Sequence, residues 1–265
     1  MENVKANFTK EMITSLVIRC STAACEAARY LPCITSQERL IATSKGPYRE
    51  EVTIYDKKLE EKILQNLILS DRDDGYLGEE TGHYAGNSGV KWVIDPIDGT
   101  ANFVRRIPAY AISIAAEVDG RIVAGAVYDP SHQETFSAGL GLGARCNGYK
   151  INSSNIYDLS DAIISTGFSK NPAIRREQAK IISKLSIKVR DIRNSGSSAL
   201  DLCWLASGRL DAYFERDLRY WDIAAGSLIA SEAGADIRIH GDFVIGASQS
   251  ISQQFNTFLV NHIAK

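Results

Sequence analysis

The sequence has few of the features that mark secreted, membrane-bound or metal-thiolate proteins. Among its 265 residues it has only five cysteines, with no Cys-x-x-Cys pair, so neither a disulfide framework nor a cysteine zinc site is expected. No window reaches the roughly 18 apolar residues of a membrane span, and the first residues do not resemble a signal peptide. We therefore expect a cytoplasmic protein with free thiols. The cysteines are Cys20, Cys25, Cys33, Cys146 and Cys203.

The sequence also lacks an excess of charge of one sign. The chain has 30 Lys and Arg against 32 Asp and Glu, a formal net charge of -2. This balance provides no electrostatic basis for nucleic acid or an anionic membrane as the main partner. Repeats, low-complexity segments and long linkers are absent as well. With 45% hydrophobic residues, the chain is expected to form a compact body with a sizeable core.

Hydrophobic periodicity predicts helices and strands along most of the chain. Helical spacing is found at 8–31, where Pro32 ends the run, and at 56–69, 174–185, 197–207, 222–232 and 252–263. Strand-like runs lie at 76–77, 92–94, 111–117, 122–128, 134–138, 162–166, 188–192, 212–215, 236–239 and 243–247. Asp119-Gly120 predicts a hairpin between two of these strands. The order favours a layered mixed αβ architecture over a doubly wound sheet or a TIM barrel.

Two aspartates follow the apolar strand at 92–94. Pro96 biases Asp95 toward an extended backbone, so this carboxylate is expected at a strand end. Gly99 permits a tight turn after Asp98, and a helix that begins at 99–101 would present free N–H groups. Carboxylates beside a helix N-terminus suit a divalent cation together with a phosphate. The alternative is that both aspartates only cap a turn.

Two further acidic segments can be explained by purely structural roles when each is considered alone. Glu79 and Glu80 follow the short strand at 76–77, where adjacent carboxylates usually form a solvated loop. Asp222 stands where a helix begins, and an Asp there can be an N-cap, a metal ligand or both.

Taken together, these segments resemble the inositol monophosphatase family. The matching blocks follow the family's order at its approximate spacing and cover nearly the whole chain. They are GEET at 78–81, WVIDPIDGTANF at 92–103, GSSALDLC at 196–203, GRLDAYFE at 208–215, WDIAAG at 221–226 and EAG at 232–234. The resemblance implies an α/β fold, a five-layer αβαβα sandwich, in one compact unit. Residues 1–150 would form an N-terminal part and residues 151–265 a C-terminal part, with the site between them.

The resemblance implies a phosphomonoesterase that uses two or three Mg²⁺ ions. Glu79, Asp95 and the carbonyl of Ile97 match the ligands of one ion. Asp95, Asp98 and Asp222 match those of a second, with Asp95 shared. Because several carboxylates alone would repel a phosphate, such a site is tenable only with cations. None of the four histidines lies in the matching blocks, which disfavours a histidine-dependent nucleophile.

Other matching positions complete the implied site. Asp56 matches a residue that holds a third Mg²⁺ through water, although an exposed helix N-cap is an equal alternative. Thr100 is expected to orient the attacking water together with Glu79. The backbone N–H groups of Gly99 and Thr100 are expected to bind phosphate oxygens in an in-line hydrolysis without a phosphoenzyme.

The organic part of the substrate is expected to meet another set of residues. Glu215 matches a carboxylate that accepts hydrogen bonds from inositol hydroxyls, and a carboxylate suits a vicinal diol. Glu215 could instead end its strand without a partner. The other expected substrate contacts are Gly196, Ser197, Ser198 and Asp222.

The favoured interpretation is hydrolysis of myo-inositol monophosphate, and the family suggests a lithium-sensitive homodimer. Histidinol-phosphate phosphatase and fructose-1,6-bisphosphatase are alternatives with a similar metal site. Arg105 and Arg106 could bind the second phosphate of a bisphosphate, or could form a solvated basic turn. A non-enzymatic alternative is a protein that binds RNA or the transcription machinery, although the balanced charge makes a nucleic-acid partner unfavourable.

Overall fold

Two large β-sheets alternate with three layers of helices in the computed structural model, which describes residues 8–31, 42–45, 50–68 and 73–263. Residues 42–45 and 50–53 pair antiparallel in a separate two-stranded sheet. The helices are α1 (Lys10–Ala28), α2 (Ile54–Leu67), α3 (Thr100–Arg105), α4 (Pro172–Leu185), α5 (Ser198–Ala206), α6 (Tyr220–Glu232) and α7 (Ser252–Ile263). All six predicted helices are confirmed, with ends shifted by a few residues. Pro32, Cys33 and Leu69 lie outside the described residues.

The strands also follow the predicted order. They are β1 (Ala42–Lys45), β2 (Glu50–Thr53), β3 (Gly75–Gly78), β4 (Gly82–Tyr84), β5 (Val90–Asp98), β6 (Ala111–Val118), β7 (Arg121–Asp129), β8 (Glu134–Gly139), β9 (Gly143–Cys146), β10 (Tyr149–Lys150), β11 (Ile163–Thr166), β12 (Asp191–Arg193), β13 (Ala212–Arg216), β14 (Ala235–His240) and β15 (Phe243–Ser248). Five strands were not predicted from the sequence, namely β1, β2, β4, β9 and β10. Each has two to four residues, too few for an alternating pattern to be recognised.

The larger sheet has eight strands in the order β10-β9-β8-β7-β6-β5-β3-β4. β3 is parallel to β5, and the other neighbours are antiparallel. Asp119 and Gly120 join β6 to β7 with φ angles of 50° and 74°. Asp and Gly tolerate this left-handed backbone, which matches the twist of the two strands. The predicted hairpin is confirmed.

Helices α1 and α2 cover one face of the eight-stranded sheet. The side of α1 that packs on the sheet consists mostly of small residues, which let the helix lie close to the strands. Its buried residues are Ile13, Leu16, Cys20, Ala23, Ala24, Ala27 and Ala28. On α2, Leu59, Ile63 and Leu67 recur at helical spacing and enter the same core. This packing holds α2 beside β5, which carries the two central aspartates.

Helices α5 and α6 fill the space between the two sheets. α6 contacts β6 and β7 on one side and β14 on the other, and α5 contacts β13 and β15. A Cβ at Gly226 would lie 2.8 Å from Leu202 Cβ, so glycine is needed where the two helices cross. Both helices are therefore anchored in a shared core.

The smaller sheet has the order β12-β11-β13-β15-β14, with β11 parallel to both of its neighbours. Helices α4 and α7 cover its outer face, where Ile181, Leu185, Phe255 and Leu259 are buried. The layers are α1 and α2, the large sheet, α5 and α6, the small sheet, and α4 and α7. The five-layer αβαβα prediction is confirmed. The division of the chain at residue 150 remains a prediction.

The described thiols are free, as expected. Cys20 and Cys203 are buried, and Cys25 and Cys146 are half-buried. Burial raises the pKa of the Cys20 thiol to about 12, so this thiol stays protonated. Among the described helices, none is both long enough and apolar enough to cross a membrane.

Candidate active site

Strand β5 carries two of the predicted ligands. It continues through Asp95 to Asp98, so the prediction that Asp95 ends the strand is wrong. Asp95 pairs with Ser113 and Asp98 with Ala111, which leaves one extra residue on β5. The proline after Asp95 has no N–H to donate and is tolerated at such a bulge. Asp95 Oδ1 accepts a hydrogen bond from the backbone N of Ile97 at 3.0 Å, which fixes this carboxylate inside the bulge.

The backbone turns sharply after β5. Gly99 has a φ of 93° and begins α3, so the helix predicted at 99–101 is confirmed. Thr100 Oγ1 lies 3.2 Å from Asp56 Oδ1 and 3.1 Å from the carbonyl oxygen of Ile97. A hydroxyl has one proton, so Thr100 donates to one of these oxygens at a time. The turn therefore brings Thr100, Asp56 and the Ile97 carbonyl together.

The turn at Gly99 leads to a stability prediction. A Cβ at Gly99 would lie 3.0 Å from the carbonyl oxygen of Ala109 and 3.1 Å from that of Gly196. Gly99→Ala should lower the free energy of unfolding by about 1–3 kcal/mol, because left-handed strain and crowding add. Gly120→Ala is the matched control, since its φ is also positive but nothing lies within 4 Å. Urea titrations of both variants provide the measurement, and equal losses would contradict the role of close packing.

Asp56 lies on α2 and is buried. It is the third residue of the helix, and Thr53 is the N-cap. Asp56 Oδ2 accepts hydrogen bonds from Thr53 N at 2.7 Å and Thr53 Oγ1 at 2.6 Å. Burial raises the pKa of Asp56 to about 6, although the Thr53 hydrogen bonds lower it. The alternative expectation of an exposed N-cap is therefore wrong.

Glu79 lies in the turn after β3, as expected for a loop residue. Its backbone N donates to a carbonyl oxygen of β5 at 3.2 Å. The same turn contacts Glu60, which sequence analysis missed. Glu60 is 0% exposed and accepts hydrogen bonds from Glu80 N at 3.0 Å, Thr81 N at 2.7 Å and the Thr81 hydroxyl. Its spacing of four residues from Asp56 on one helix face was the available signal.

Asp98 connects β5 to the start of α5. Its Oδ2 accepts hydrogen bonds from Ser197 Oγ at 2.5 Å and Ala199 N at 2.7 Å. Burial raises the pKa of Asp98 to about 6, while these two hydrogen bonds lower it. Ser197 is also the N-cap of α5, so the predicted contact strip at 196–198 lies directly beside Asp98.

Asp222 reaches the same region from α6. It is the third residue of this helix, not the N-cap, and its Oδ2 accepts a hydrogen bond from the backbone N of Arg219 at 2.7 Å. Burial raises the pKa of Asp222 well above its usual range, and the charge of Asp98 raises it further. The Asp222 carboxylate therefore both caps the start of α6 and belongs to the acidic cluster.

Asp95 lies at the centre of this acidic cluster. Burial raises its pKa well above the usual range. The charges of Glu79, Asp98, Asp222 and Asp56 raise it further, in that order. Such upward shifts indicate that the protein itself does not neutralise the cluster. Acidic oxygens brought together in this way are the donor set that Mg²⁺ prefers, so the residues fit a divalent cation.

The cluster is not a closed cage. Among the residues in the described ranges, no three Asp, Glu, His or Cys side chains are gathered into a ready-made ligand set. Several carboxylate oxygens instead accept hydrogen bonds from the neighbouring backbone, as at Asp95 and Asp222.

Glu215 lies next to this cluster on β13. Its Oε2 accepts hydrogen bonds from Tyr213 OH at 2.9 Å and Ser198 Oγ at 3.2 Å. Burial raises the pKa of Glu215 to about 7, while the Tyr213 hydrogen bond lowers it. A Cβ at Gly167 would overlap the Glu215 carboxylate. The buried Gln178 holds this segment through Gly167 O at 3.0 Å, a contact that sequence analysis missed.

Asn102 is another missed residue. Its Nδ2 donates to the carbonyl oxygens of Ala109 at 2.6 Å and Ser195 at 2.7 Å. A Cβ at Gly196, whose φ is 80°, would lie 2.9 Å from this nitrogen. Asn102 therefore ties α3 to the strip at 196–198. The asparagine was present in the WVIDPIDGTANF block, but its partners are 7 and 93 residues away.

Arg105 and Arg106 lie at the end of α3. Both side chains are exposed, and Arg106 has a φ of 60° where the helix ends. This position is consistent with the predicted basic turn. A second anion at these arginines remains a prediction.

Known proteins are similar to this chain in sequence and in fold. The model of the inositol monophosphatase family matches residues 13–254. The chain is 43% identical over 203 residues to the inositol-1-monophosphatase SuhB of Mycobacterium tuberculosis, which covers 73% of this chain and 70% of the relative. It is 42% identical over 207 residues to the Nus factor SuhB of Salmonella typhimurium, with coverage of 77% and 76%.

A solved structure agrees with these relatives. The extragenic suppressor protein SuhB from Bartonella henselae matches with a TM-score of 0.86 and 32% identity, over 92% of this chain and 98% of that one. Sequence blocks, five-layer architecture and acidic cluster thus lead to the same assignment. The chain belongs to the inositol monophosphatase family.

Proposed function

We propose that the protein is a Mg²⁺-dependent phosphomonoesterase that hydrolyses myo-inositol monophosphate to myo-inositol and phosphate. The observation that carries the proposal is the acidic cluster around Asp95. Burial and mutual repulsion raise the pKa values of its carboxylates, so the site favours compensation by cations. Family membership supports the reaction class.

Two or three cations would be held by this cluster. Glu79, Asp95 and the Ile97 carbonyl would ligate the first, and Asp95 would be shared with the second. Bound there, the cations would lower the pKa of a water, neutralise the phosphate and stabilise the departing alkoxide. The remaining ligands in the proposal are Asp98 and Asp222 for the second ion and Asp56 for the third.

The chain's own groups would orient the reaction. Thr100 and Glu79 would hold the attacking water in line with the leaving group, and Asp56 supports this role because its carboxylate lies 3.2 Å from Thr100 Oγ1. The backbone N–H groups of Gly99 and Thr100 would bind phosphate oxygens. The reaction would proceed without a phosphoenzyme, since no nucleophilic side chain is required.

Glu215 would recognise the organic part of the substrate. Its carboxylate is already oriented by Tyr213 and Ser198, so it can accept hydrogen bonds from two adjacent hydroxyls with little loss of side-chain freedom. The strip of Gly196, Ser197 and Ser198 would line the same side. The position of Glu215 next to the acidic cluster suits a ring that carries both a phosphate and a diol.

A comparison of three esters tests the proposed substrate. Phosphate release would be measured with Mg²⁺ on myo-inositol 1-phosphate, histidinol phosphate and fructose 1,6-bisphosphate, with and without Li⁺. We expect kcat/KM for the inositol ester to exceed the others at least about tenfold, or about 1.4 kcal/mol, and Li⁺ to suppress it. A preference for either other ester would overturn the inositol assignment and leave the phosphatase proposal in place.

Substitution of Glu215 should discriminate between substrates. Glu215→Gln is expected to lower kcat/KM for myo-inositol 1-phosphate about 10- to 100-fold, because one oxygen acceptor becomes a donor. Hydrolysis of p-nitrophenyl phosphate, which has no diol, should change less than about threefold. In the wild type, the ratio of the two kcat/KM values should rise as the pH increases through about 7, where Glu215 ionises. A pH-independent ratio would contradict the role of Glu215.

A second candidate function is supported by the name of one relative. The Nus factor SuhB of Salmonella typhimurium is 42% identical, and its name associates that protein with transcription. The net charge of -2 makes RNA an unfavourable partner for this chain, so the second function ranks below the phosphatase proposal. Salt-dependent RNA retention without any phosphatase turnover would favour this second function. For the phosphatase function, we also propose that the protein is a homodimer and acts in the cytoplasm.

A further inference from the structure

Glu60 is a buried carboxylate that the proposed reaction does not use. It lies on α2 and is fully buried. A buried carboxylate is retained at a cost unless hydrogen bonds compensate for the lost water. Glu60 obtains all of its described hydrogen bonds from one short segment, the turn of residues 79–81 that carries Glu79.

These hydrogen bonds fix the turn on the C-terminal side of Glu79. Glu60 Oε2 accepts from Glu80 N at 3.0 Å, and Glu60 Oε1 accepts from Thr81 N at 2.7 Å and from the Thr81 hydroxyl. The two residues after Glu79 therefore cannot move without breaking hydrogen bonds to a buried carboxylate.

The same carboxylate restricts the residue before Glu79. A Cβ at Gly78 would overlap the Glu60 carboxylate, so the backbone at the end of β3 lies directly against it. The backbone N of Glu79 itself donates to the carbonyl oxygen of Ile94 on β5 at 3.2 Å. Glu60 thus contacts the chain on both sides of Glu79, at Gly78 before it and at Glu80 and Thr81 after it.

Helix α2 also supports Thr100. Asp56 lies one helical turn before Glu60 on the same face, and its Oδ1 lies 3.2 Å from Thr100 Oγ1. One helix therefore contacts Thr100 and also the residues on either side of Glu79.

We propose that Glu60 is a positioning residue that holds Glu79 in place for cation binding, through its contacts with Gly78, Glu80 and Thr81. This inference rests on the proposed function in assigning a cation to Glu79. Partners of this kind behind a metal ligand typically change metal affinity or activity 10- to 100-fold when they are altered. Glu60 itself touches neither substrate nor cation.

Metal binding is the decisive readout because it does not depend on turnover. Mn²⁺ binding would be titrated by electron paramagnetic resonance on metal-stripped wild type and Glu60→Gln. The amide of Gln has the same shape, but its NH₂ group replaces one of the two acceptor oxygens. Either the Glu80 N–H or the two Thr81 donors therefore lose their acceptor. We expect the dissociation constant for Mn²⁺ to rise at least about tenfold and kcat to fall by a similar factor, with KM for the ester within about threefold.

A matched control separates positioning from stability. Asp74 is likewise fully buried and accepts hydrogen bonds from Arg19 Nη2 at 3.0 Å and Trp92 Nε1 at 3.1 Å. It precedes β3, at the opposite end of the strand from Glu79. Asp74→Asn should lower the melting temperature but leave Mn²⁺ affinity within about twofold. An equal loss of Mn²⁺ affinity in both variants would overturn the proposal.

A surface substitution keeps the test valid if Glu60→Gln does not fold. Thr81 is exposed, and Thr81→Val removes one of the three donors, while Thr81→Ser keeps the hydroxyl. We expect Thr81→Val to weaken Mn²⁺ binding severalfold and Thr81→Ser to bind Mn²⁺ as tightly as the wild type. Wild-type Mn²⁺ affinity in Thr81→Val would overturn the proposal.

The outcomes also separate this inference from the proposed function. Wild type that binds Mn²⁺ without any turnover, while Glu60→Gln binds it weakly, would overturn the proposed reaction and support the role of Glu60. Turnover that depends on Mg²⁺, together with equal Mn²⁺ binding and kcat in Glu60→Gln, would overturn only the role of Glu60.

Discussion

Asp95→Asn is expected to lower kcat/KM for phosphate-ester hydrolysis by about a thousandfold or more. Asp95 is the carboxylate proposed to be shared by two cations, and losing several kcal/mol of charge stabilisation corresponds to at least this factor. The free energy of unfolding of the metal-free protein should stay unchanged or increase. Burial and four neighbouring carboxylates raise the pKa of Asp95, so a neutral amide relieves repulsion.

Asp201→Asn is the matched control for Asp95→Asn. Asp201 is buried on α5, and burial raises its pKa to about 8, so it is mostly neutral at pH 7. Its replacement by a neutral amide should change kcat/KM less than about threefold. Steady-state kinetics with Mg²⁺ and urea denaturation of the metal-free variants provide both readouts. Near-normal turnover of Asp95→Asn would contradict the metal assignment.

Removal of divalent cations is expected to destabilise the protein at pH 7.5 but hardly at pH 5. Burial raises the pKa values of Asp56 and Asp98 to about 6 in the folded protein, above the ordinary value of an aspartate. The stability contributed by these groups is therefore complete at low pH and is lost as the pH rises through about 6. At pH 7.5 the ionised cluster repels itself unless a cation is bound.

Thermal unfolding with and without Mg²⁺ measures this effect. At a hundredfold excess over its dissociation constant, a ligand stabilises the folded state by about 2.7 kcal/mol. For a chain of this size, that corresponds to a rise in melting temperature of about 5–10 °C at pH 7.5. The shift should nearly vanish at pH 5 and in Asp95→Asn. An equal shift at both pH values would contradict the titration of these carboxylates.

The sequence was sufficient to predict the fold and the acidic cluster. Helical and strand periods identified the main elements because they extend over enough residues for a buried face to repeat. The short strands β4, β9 and β10 do not, and their pairing depends on neighbouring strands. The sequence blocks also indicated which acidic residues to consider together, and the structure brings Glu79, Asp95, Asp98 and Asp222 close enough to shift pKa values.

What could not be predicted depends on contacts between distant segments. Glu60 had no sequence signal except its spacing from Asp56, because its hydrogen-bond partners lie 20 and 21 residues further along the chain. The contacts of Asn102 and Gln178 were unpredictable for the same reason. Each side chain donates to a backbone carbonyl that only the tertiary fold brings within hydrogen-bond distance. The continuation of β5 through Asp95 depends on a bulge, which the proline alone did not specify.

The most direct test of the central claim is a metal add-back assay on the wild-type protein. Initial rates of phosphate release from myo-inositol 1-phosphate would be measured after treatment with EDTA and then at increasing Mg²⁺ concentration. The account predicts no turnover without divalent cation and a saturable recovery as Mg²⁺ is restored. Undiminished turnover in EDTA, or no turnover at any Mg²⁺ concentration, would contradict it.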